Sequence, residues 1–149
     1  MREADFYAKV RDVLHAPPYR ICRKLQDRYL KGVPDSIYSI CIGSRSTDGW
    51  IELKYHERWP ARGGDLSLGL RVEQQRFIEQ CAATNGNAFV LVGVGDTAYL
   101  IEPRGDGART LDVGVFTDAQ HAKRVSCFTC KIDKLAQLLV YLTRVGMSE

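Results

Sequence analysis

The sequence predicts an α/β fold, with one domain spanning residues 1–149. Apolar residues recur at helical spacing in three segments, while the segments between them are rich in β-branched and aromatic residues. The resulting order is helix, strands, helix, strands, helix, which favours a sheet covered by helices. A chain of 149 residues is long enough to bury one substantial core.

The first predicted helix covers residues 3–14, with Phe6, Val10 and either Val13 or Leu14 on its buried stripe. Glu3 lies three residues before Phe6 and seven before Val10, so we expect it on the same inward stripe. Two prolines at positions 17 and 18 forbid continuation of the helix. Residues 19–31 remain ambiguous between a short strand, a basic helical turn and a loop.

The next elements form a predicted hairpin. Residues 35–42 and 50–56 read as strands, joined by a loop at 43–49 with a glycine at each end. A long loop at 57–69 follows, with Pro60 and a Gly-Gly pair.

The second half of the chain predicts a helix over residues 70–86, which ends at Asn85-Gly86. Residues 87–94 form a continuous apolar run, typical of a strand buried on both faces. Residues 97–102 pair with that run as a second hairpin. Residues 103–126 are weakly patterned, and a closing helix is predicted over 131–146.

Composition narrows the class of protein. Hydrophobic residues make up 45% of the chain and charged residues 26%, which is typical of globular domains. The sequence contains no apolar run long enough to span a bilayer and no secretory leader pattern, so we expect no membrane partner. Five cysteines, an odd number, predict a reducing compartment, the cytoplasm.

Three charged residues occupy strand positions in the first hairpin. Asp35 follows Pro34, while Glu52 and Lys54 alternate with Ile51 and Leu53 and therefore share one face. The hairpin can bring Asp35 beside Glu52, and two adjacent carboxylates favour a bound cation. Mg²⁺ or Mn²⁺ would find oxygen ligands in both carboxylates and in the carbonyl of Leu53. Such a metal can activate water for phosphodiester hydrolysis, with Lys54 orienting that water; the alternative is a structural ion pair.

These residues resemble a nuclease family. "GVPD", then "ELK", then "LRVEQQRF" is similar to the motif of the PD-(D/E)xK superfamily, and more narrowly to its VRR-NUC and Holliday-junction-resolvase-like branch. The resemblance runs from Glu3 to about Val94. It implies a restriction-endonuclease-like core of the order αβββαβ: a helix, a three-stranded meander, a second helix and a further strand. It also implies a Mg²⁺-dependent DNA endonuclease that prefers branched DNA, and the alternative is a DNA-binding or assembly module without catalysis.

The resemblance assigns a role to each site residue. Asp35 and Glu52 would bind the metal, Lys54 would be the catalytic lysine, and Gln74 and Glu3 would complete the site. Gln74 has a competitor in Gln75, but Gln74 lies on the buried stripe of its helix. Glu3 could instead contact a basic residue or stabilise the start of its helix.

We predict contacts with DNA phosphates for basic residues in segment 19–31 and for an arginine before the second helix. They are Arg23, Lys24, Arg28, Lys31 and Arg71. A solvated surface is the competing interpretation, since the net charge is only +3.

Two further predictions concern the C-terminal part. The resemblance suggests a homodimer, and the wide apolar stripe of the closing helix adds a hint: Ile132, Leu135, Leu138, Leu139, Leu142 and Val145. The alternative is that this helix packs entirely on its own sheet. Cys127 and Cys130 form a C-x-x-C pair, but only His121 is nearby as a third ligand, so we do not predict zinc.

Overall fold

A computed structural model describes residues 1–25, 32, 34–84 and 86–145 of the protein. The helices are α1 (Glu3–Leu14), α2 (Val72–Ala83), α3 (Asp106–Val113), α4 (Ala119–Val125) and α5 (Ala136–Val145), and a 3-10 turn spans Ile132–Lys134. The strands are β1 (Arg20–Lys24), β2 (Ser36–Ile42), β3 (Arg45–His56), β4 (Leu66–Ser67), β5 (Ala88–Val94), β6 (Thr97–Ile101), β7 (Val115–Phe116) and β8 (Phe128–Lys131).

Six strands form one mixed sheet in the order β1-β2-β3-β5-β6-β8. β1, β2 and β3 are an antiparallel meander, β5 runs parallel to β3, and β6 and β8 continue antiparallel. All seven residues of β5 are buried, as its continuous apolar run predicts for a central strand. The α/β class and the two predicted hairpins are therefore confirmed.

Helices cover both faces of the sheet. On one face, α1 and α5 pack through Phe6, Val10 and Leu138 against β3 and β5. On the other face, α2, α3 and α4 pack against the alternate residues of β5 and β6. The longest helices have 12 residues, and no helix in the described residues is long and apolar enough to cross a membrane.

The structure corrects several predicted boundaries. The predicted loop at 43–49 is wrong, because β2 ends at Ile42 and β3 already begins at Arg45. The ambiguous segment at 19–31 contains β1, and its residues 26–31 lie outside the described part of the chain. The weakly patterned residues 103–126 hold α3, β7 and α4. The closing helix begins at Ala136, since Lys131 ends β8 and Ile132 belongs to the 3-10 turn.

The apolar stripe of the closing segment is used within the chain. Five of its six residues, Ile132, Leu135, Leu138, Leu139 and Leu142, are buried in the core beneath α1. Because its own sheet covers this stripe, the stripe no longer favours a dimer. The homodimer stays a prediction that depends on the resemblance alone.

A glycine in β5 allows α1 to approach the sheet. Phe6 of α1 stacks on Tyr55 of β3, with ring centroids 5.1 Å apart, directly over Gly93. A Cβ atom at Gly93 would lie 2.7 Å from an atom of the Phe6 ring and 2.8 Å from one of the Tyr55 ring. The absence of a side chain therefore sets how closely the first helix packs.

We expect Gly93→Ala to lower the free energy of unfolding by about 1–3 kcal/mol, because it overpacks a closed contact between helix and sheet. Urea denaturation followed by circular dichroism measures the change. Gly64→Ala is the matched control, since its nearest neighbour would be Pro60 at 3.9 Å. Equal stability of the two variants would contradict the close packing of α1.

Candidate active site

Two carboxylates meet where β2 begins. The backbone N–H of Asp35 donates to Glu52 Oε2 at 2.8 Å, and the backbone N–H of Leu53 donates to Asp35 Oδ2 at 3.1 Å. These two bonds continue the β2–β3 ladder beyond its last residue pair, Ser36 and Ile51. The hairpin thus brings Asp35 beside Glu52, and each side chain is held by the other strand's backbone.

Glu52 carries an unfavourable charge. Its residue is 1% exposed, and burial raises the pKa of its carboxyl group to about 7, with the neighbouring Asp35 charge acting in the same direction. Lys54 opposes this shift in pKa but does not cancel it. A buried acid with a strongly raised pKa beside a second acid is typical of functional sites.

Lys54 lies next to the carboxylate pair. Its Nζ is 3.5 Å from Glu52 Oε1, and its side chain is 22% exposed, so the ammonium group reaches both the buried acid and solvent. Glu52 and Lys54 share a sheet face, as the alternation predicted, while Ile51, Leu53 and Tyr55 join the core on the other face.

Gln74 is the glutamine that faces this cluster. Its Nε2 donates to Glu52 Oε1 at 2.8 Å, and its Oε1 accepts from the backbone N–H of Arg71 at 3.0 Å. The second bond caps the first turn of α2 and fixes which end of the amide points to the acid. Gln75 points elsewhere and donates to Asp112 of α3.

Helix α1 contributes a tyrosine that the sequence analysis missed. The hydroxyl of Tyr7 donates to the carbonyl oxygen of Leu53 at 2.6 Å. Burial raises the pKa of Tyr7, and the nearby carboxylates of Glu3 and Asp35 raise it further, so the phenol remains a hydrogen-bond donor. Tyr7 therefore orients the same carbonyl that we expected to bind metal.

Glu3 is exposed, which corrects its predicted inward position. It lies near Tyr7, where its carboxylate contributes to the raised pKa of the phenol. Arg11 follows on the same stripe, with its guanidinium carbon 5.7 Å from the Tyr7 ring centroid. Its Nε and Nη2 atoms are buried and have no hydrogen-bond partner in the described part of the chain. Glu3, Tyr7 and Arg11 follow one another at a spacing of four residues, which puts them on one face of a helix. This spacing was the sequence signal that could have identified Tyr7 and Arg11.

The predicted phosphate contacts lie on two elements. Arg23 and Lys24 are exposed on β1, an edge strand of the main sheet. Arg71 is exposed at the residue before α2, and its backbone N–H holds Gln74. Arg28 and Lys31 lie outside the described residues, so their predicted role has no structural counterpart.

The donor set at Asp35 and Glu52 is suited to a hard divalent cation. It offers two carboxylates and the Leu53 carbonyl, all oxygen ligands. Burial first, and the Asp35 charge second, raise the pKa of Glu52, and a nearby cation would act in the opposite direction. Within residues 1–25, 32, 34–84 and 86–145, no cluster of three or more His, Cys, Asp or Glu side chains forms a metal site. Any ion here would thus depend on backbone and water oxygens for its remaining ligands, as Mg²⁺ commonly does.

The two cysteines of the C-x-x-C pair are withdrawn from solvent: Cys127 is partly buried and Cys130 is buried. Burial raises the pKa of Cys127 and of Cys130 to about 11, so both remain thiols. The Cys127 thiol donates to the carbonyl oxygen of Leu100 at 3.3 Å, which is a structural contact.

Comparison with models of known protein families finds no match for this chain, and comparison with curated proteins finds none either.

The pKa of Glu52 makes stability depend on pH. Because folding raises this pKa from 4.5 to about 7, the folded state binds the extra proton, and the stability that proton gives is lost as pH rises through about 7. In EDTA, the wild type should therefore lose stability between pH 5 and pH 8, while Glu52→Gln should not. We expect the free energy of unfolding of Glu52→Gln, relative to that of the wild type, to rise by about 2 kcal/mol over this range. Urea denaturation at both pH values measures this difference.

The exposed glutamate of α2 provides the control. Glu79→Gln should show no such change relative to the wild type between the two pH values, because Glu79 is exposed to solvent. If the difference in the free energy of unfolding between Glu52→Gln and the wild type is the same at both pH values, folding does not raise the pKa of Glu52.

Proposed function

We propose that this protein is a DNA endonuclease that depends on Mg²⁺ or Mn²⁺, hydrolyses phosphodiester bonds and prefers branched DNA such as Holliday junctions or flaps. The observation that carries the proposal is the buried Glu52 carboxylate, held 2.8 Å from the backbone N–H of Asp35 with the Lys54 ammonium 3.5 Å away. A solvated structural ion pair would not need a buried acid whose pKa is raised.

Asp35, Glu52 and the carbonyl of Leu53 are the residues that would hold the cation. A bound Mg²⁺ or Mn²⁺ supplies charge that stabilises a phosphodiester transition state and lowers the pKa of an attacking water. A carboxylate offers about four lone-pair positions, so the existing hydrogen bonds of Asp35 and Glu52 leave room for further ligation.

The other residues orient this pair. Gln74 donates to Glu52 Oε1, and the backbone N–H of Arg71 fixes the Gln74 amide in turn. The carboxylate of Glu52 is therefore held in one orientation. The ammonium group of Lys54 has three donors, and only one is needed for Glu52. The remaining donors can hold the attacking water or a phosphate oxygen where negative charge develops.

The order of elements also supports the proposal. α1, the β1–β2–β3 meander, the two-residue strand β4, α2 and the parallel strand β5 follow one another along the chain. Apart from β4, this order is compatible with the order αβββαβ that the resemblance implies. The residues on which the PD-(D/E)xK resemblance depends are Asp35 immediately before β2, Glu52 and Lys54 within β3, and Gln74 on α2. Exposed Arg23, Lys24 and Arg71 would contact DNA phosphates, which bind cationic side chains without reading sequence.

We expect Asp35→Asn, Glu52→Gln and Lys54→Ala each to reduce cleavage by about a thousandfold or more, since each removes a charge that acts on the metal, the water or the phosphate. The assay compares a four-way junction, a flap and a linear duplex of the same sequence, in Mg²⁺, in Mn²⁺ and in EDTA. DNA binding in EDTA should survive in all three variants.

Lys131→Ala is the control for the loss of a lysine, because Lys131 is exposed on β8 and paired with Asp96. It should cleave as the wild type does. Wild-type rates in the Asp35 or Glu52 variants would contradict the assignment of the site. Tight binding by the wild type without cleavage in either metal would favour the non-catalytic DNA-binding module instead.

A further inference from the structure

A groove runs along the sheet beside the carboxylate pair. It has a volume of about 440 Å³ and crosses β1, β2 and the first half of β3. We call it the Trp50 groove; the side chains that matter here are Ile21, Arg23, Ile37, Ser39, Asp48 and Trp50. Register places them in two cross-strand rows, Arg23–Ile37–Trp50 and Ile21–Ser39–Asp48.

The groove lies on the same sheet face as the candidate active site, although Asp35 and Glu52 do not line it. Trp50 and Glu52 are two residues apart on β3 and share one sheet face. Asp35 lies two residues before Ile37, immediately before β2, and its hydrogen bonds hold it beside Glu52. Two residues of strand span about 7 Å, which is comparable with the spacing of neighbouring nucleotides in an extended single strand. A strand with one phosphate at Glu52 would therefore bring an adjacent nucleotide over Trp50.

The lining is mainly apolar and also carries three polar side chains. Ile21, Ile37 and the indole of Trp50 offer flat apolar surface, and Trp50 is braced by Phe77 of α2, with ring centroids 5.0 Å apart. The remaining side chains offer a cation, a hydroxyl group and a carboxylate: Arg23, Ser39 and Asp48. An apolar ligand would leave these polar groups without hydrogen-bond partners, and Asp48 would repel a phosphate.

We propose that the Trp50 groove binds an unpaired nucleobase of the DNA strand that is cut at Asp35 and Glu52. This inference rests on the proposed function and narrows its substrate. A nucleobase combines a flat face, which stacks on an aromatic side chain, with an edge of donors and acceptors, which suits Arg23, Ser39 and Asp48. A base within an intact duplex is stacked and paired and does not enter such a groove. The groove therefore selects DNA with unpaired nucleotides next to the cut, as at flaps and strained junctions.

The chain contains two tryptophans, Trp50 and Trp59, which makes a matched pair of fluorescent reporters. Trp59→Phe leaves Trp50 as the sole reporter. Trp50→Phe leaves Trp59, which packs against Tyr99 and Phe116 and is not part of the groove. Each variant is titrated in EDTA with a thymidine oligonucleotide and with an abasic oligonucleotide of equal length.

We expect the thymidine oligonucleotide to quench Trp50 emission and to leave Trp59 emission unchanged. The abasic oligonucleotide, which keeps the phosphates, should bind without quenching Trp50. Equal responses of Trp50 to both oligonucleotides, or no response to either, would overturn the proposal.

A second variant pair does not depend on the tryptophans. Ser39→Phe fills the groove from an exposed position, and Ser46→Phe adds the same ring at an exposed position on β3 outside the groove. We expect Ser39→Phe to weaken single-strand binding by about tenfold or more, as for the loss of one base stack, while Ser46→Phe does not. Equal affinities would also overturn the proposal.

Cleavage assays in Mg²⁺ on the same proteins separate the two proposals. If the wild type cleaves branched DNA but Trp50 gives no base-dependent response, the nuclease proposal is supported and the nucleobase site is contradicted. A base-dependent response without cleavage in any divalent metal would support the nucleobase site, now in a DNA-binding module, and remove the nuclease.

Discussion

The pair of hydrogen bonds between Asp35 and the Glu52–Leu53 segment determines the whole candidate site. Each acid is bound by the backbone of the opposite strand, at 2.8 Å and 3.1 Å, so the ladder of the hairpin continues through two side chains. This geometry forces two carboxylates together in a place where Glu52 is 1% exposed. Burial and the neighbouring Asp35 charge raise the pKa of Glu52 to about 7, and the proposed cation would oppose this shift.

The two helices that flank the meander supply the other polar groups from opposite faces. α2 presents Gln74 to Glu52, and α1 presents Tyr7 to the carbonyl oxygen of Leu53. Both contacts depend on apolar packing: α1 closes on Gly93 through Phe6, and α2 closes on Trp50 through Phe77. Packing that looks purely structural therefore sets the positions of the groups that surround the acids.

The sequence predicted those parts of the fold whose signal is local. α1 has the predicted bounds, and Asp35 meets Glu52 because Pro34 and strand alternation constrain both. The first half of β3 was missed because Arg45–Asp48 are polar, although a backbone ladder pairs regardless of polarity. Tyr7 and Arg11 were missed because polar residues beside an apolar stripe look solvated until their partner strand is known. α3, β7 and α4 are too short to show a period, and each buries few residues.

We propose that Asp35 and Glu52 form a cation site, and that Lys54 acts beside the ion without binding it. Calorimetric titration with Mn²⁺ tests this proposal most directly. The wild type and Lys54→Ala should bind Mn²⁺ with similar affinity, because an ammonium group cannot be a metal ligand. Glu52→Gln, shown by circular dichroism to be folded, should lose that binding. Unchanged Mn²⁺ affinity in Glu52→Gln, or its collapse in Lys54→Ala, would contradict the account.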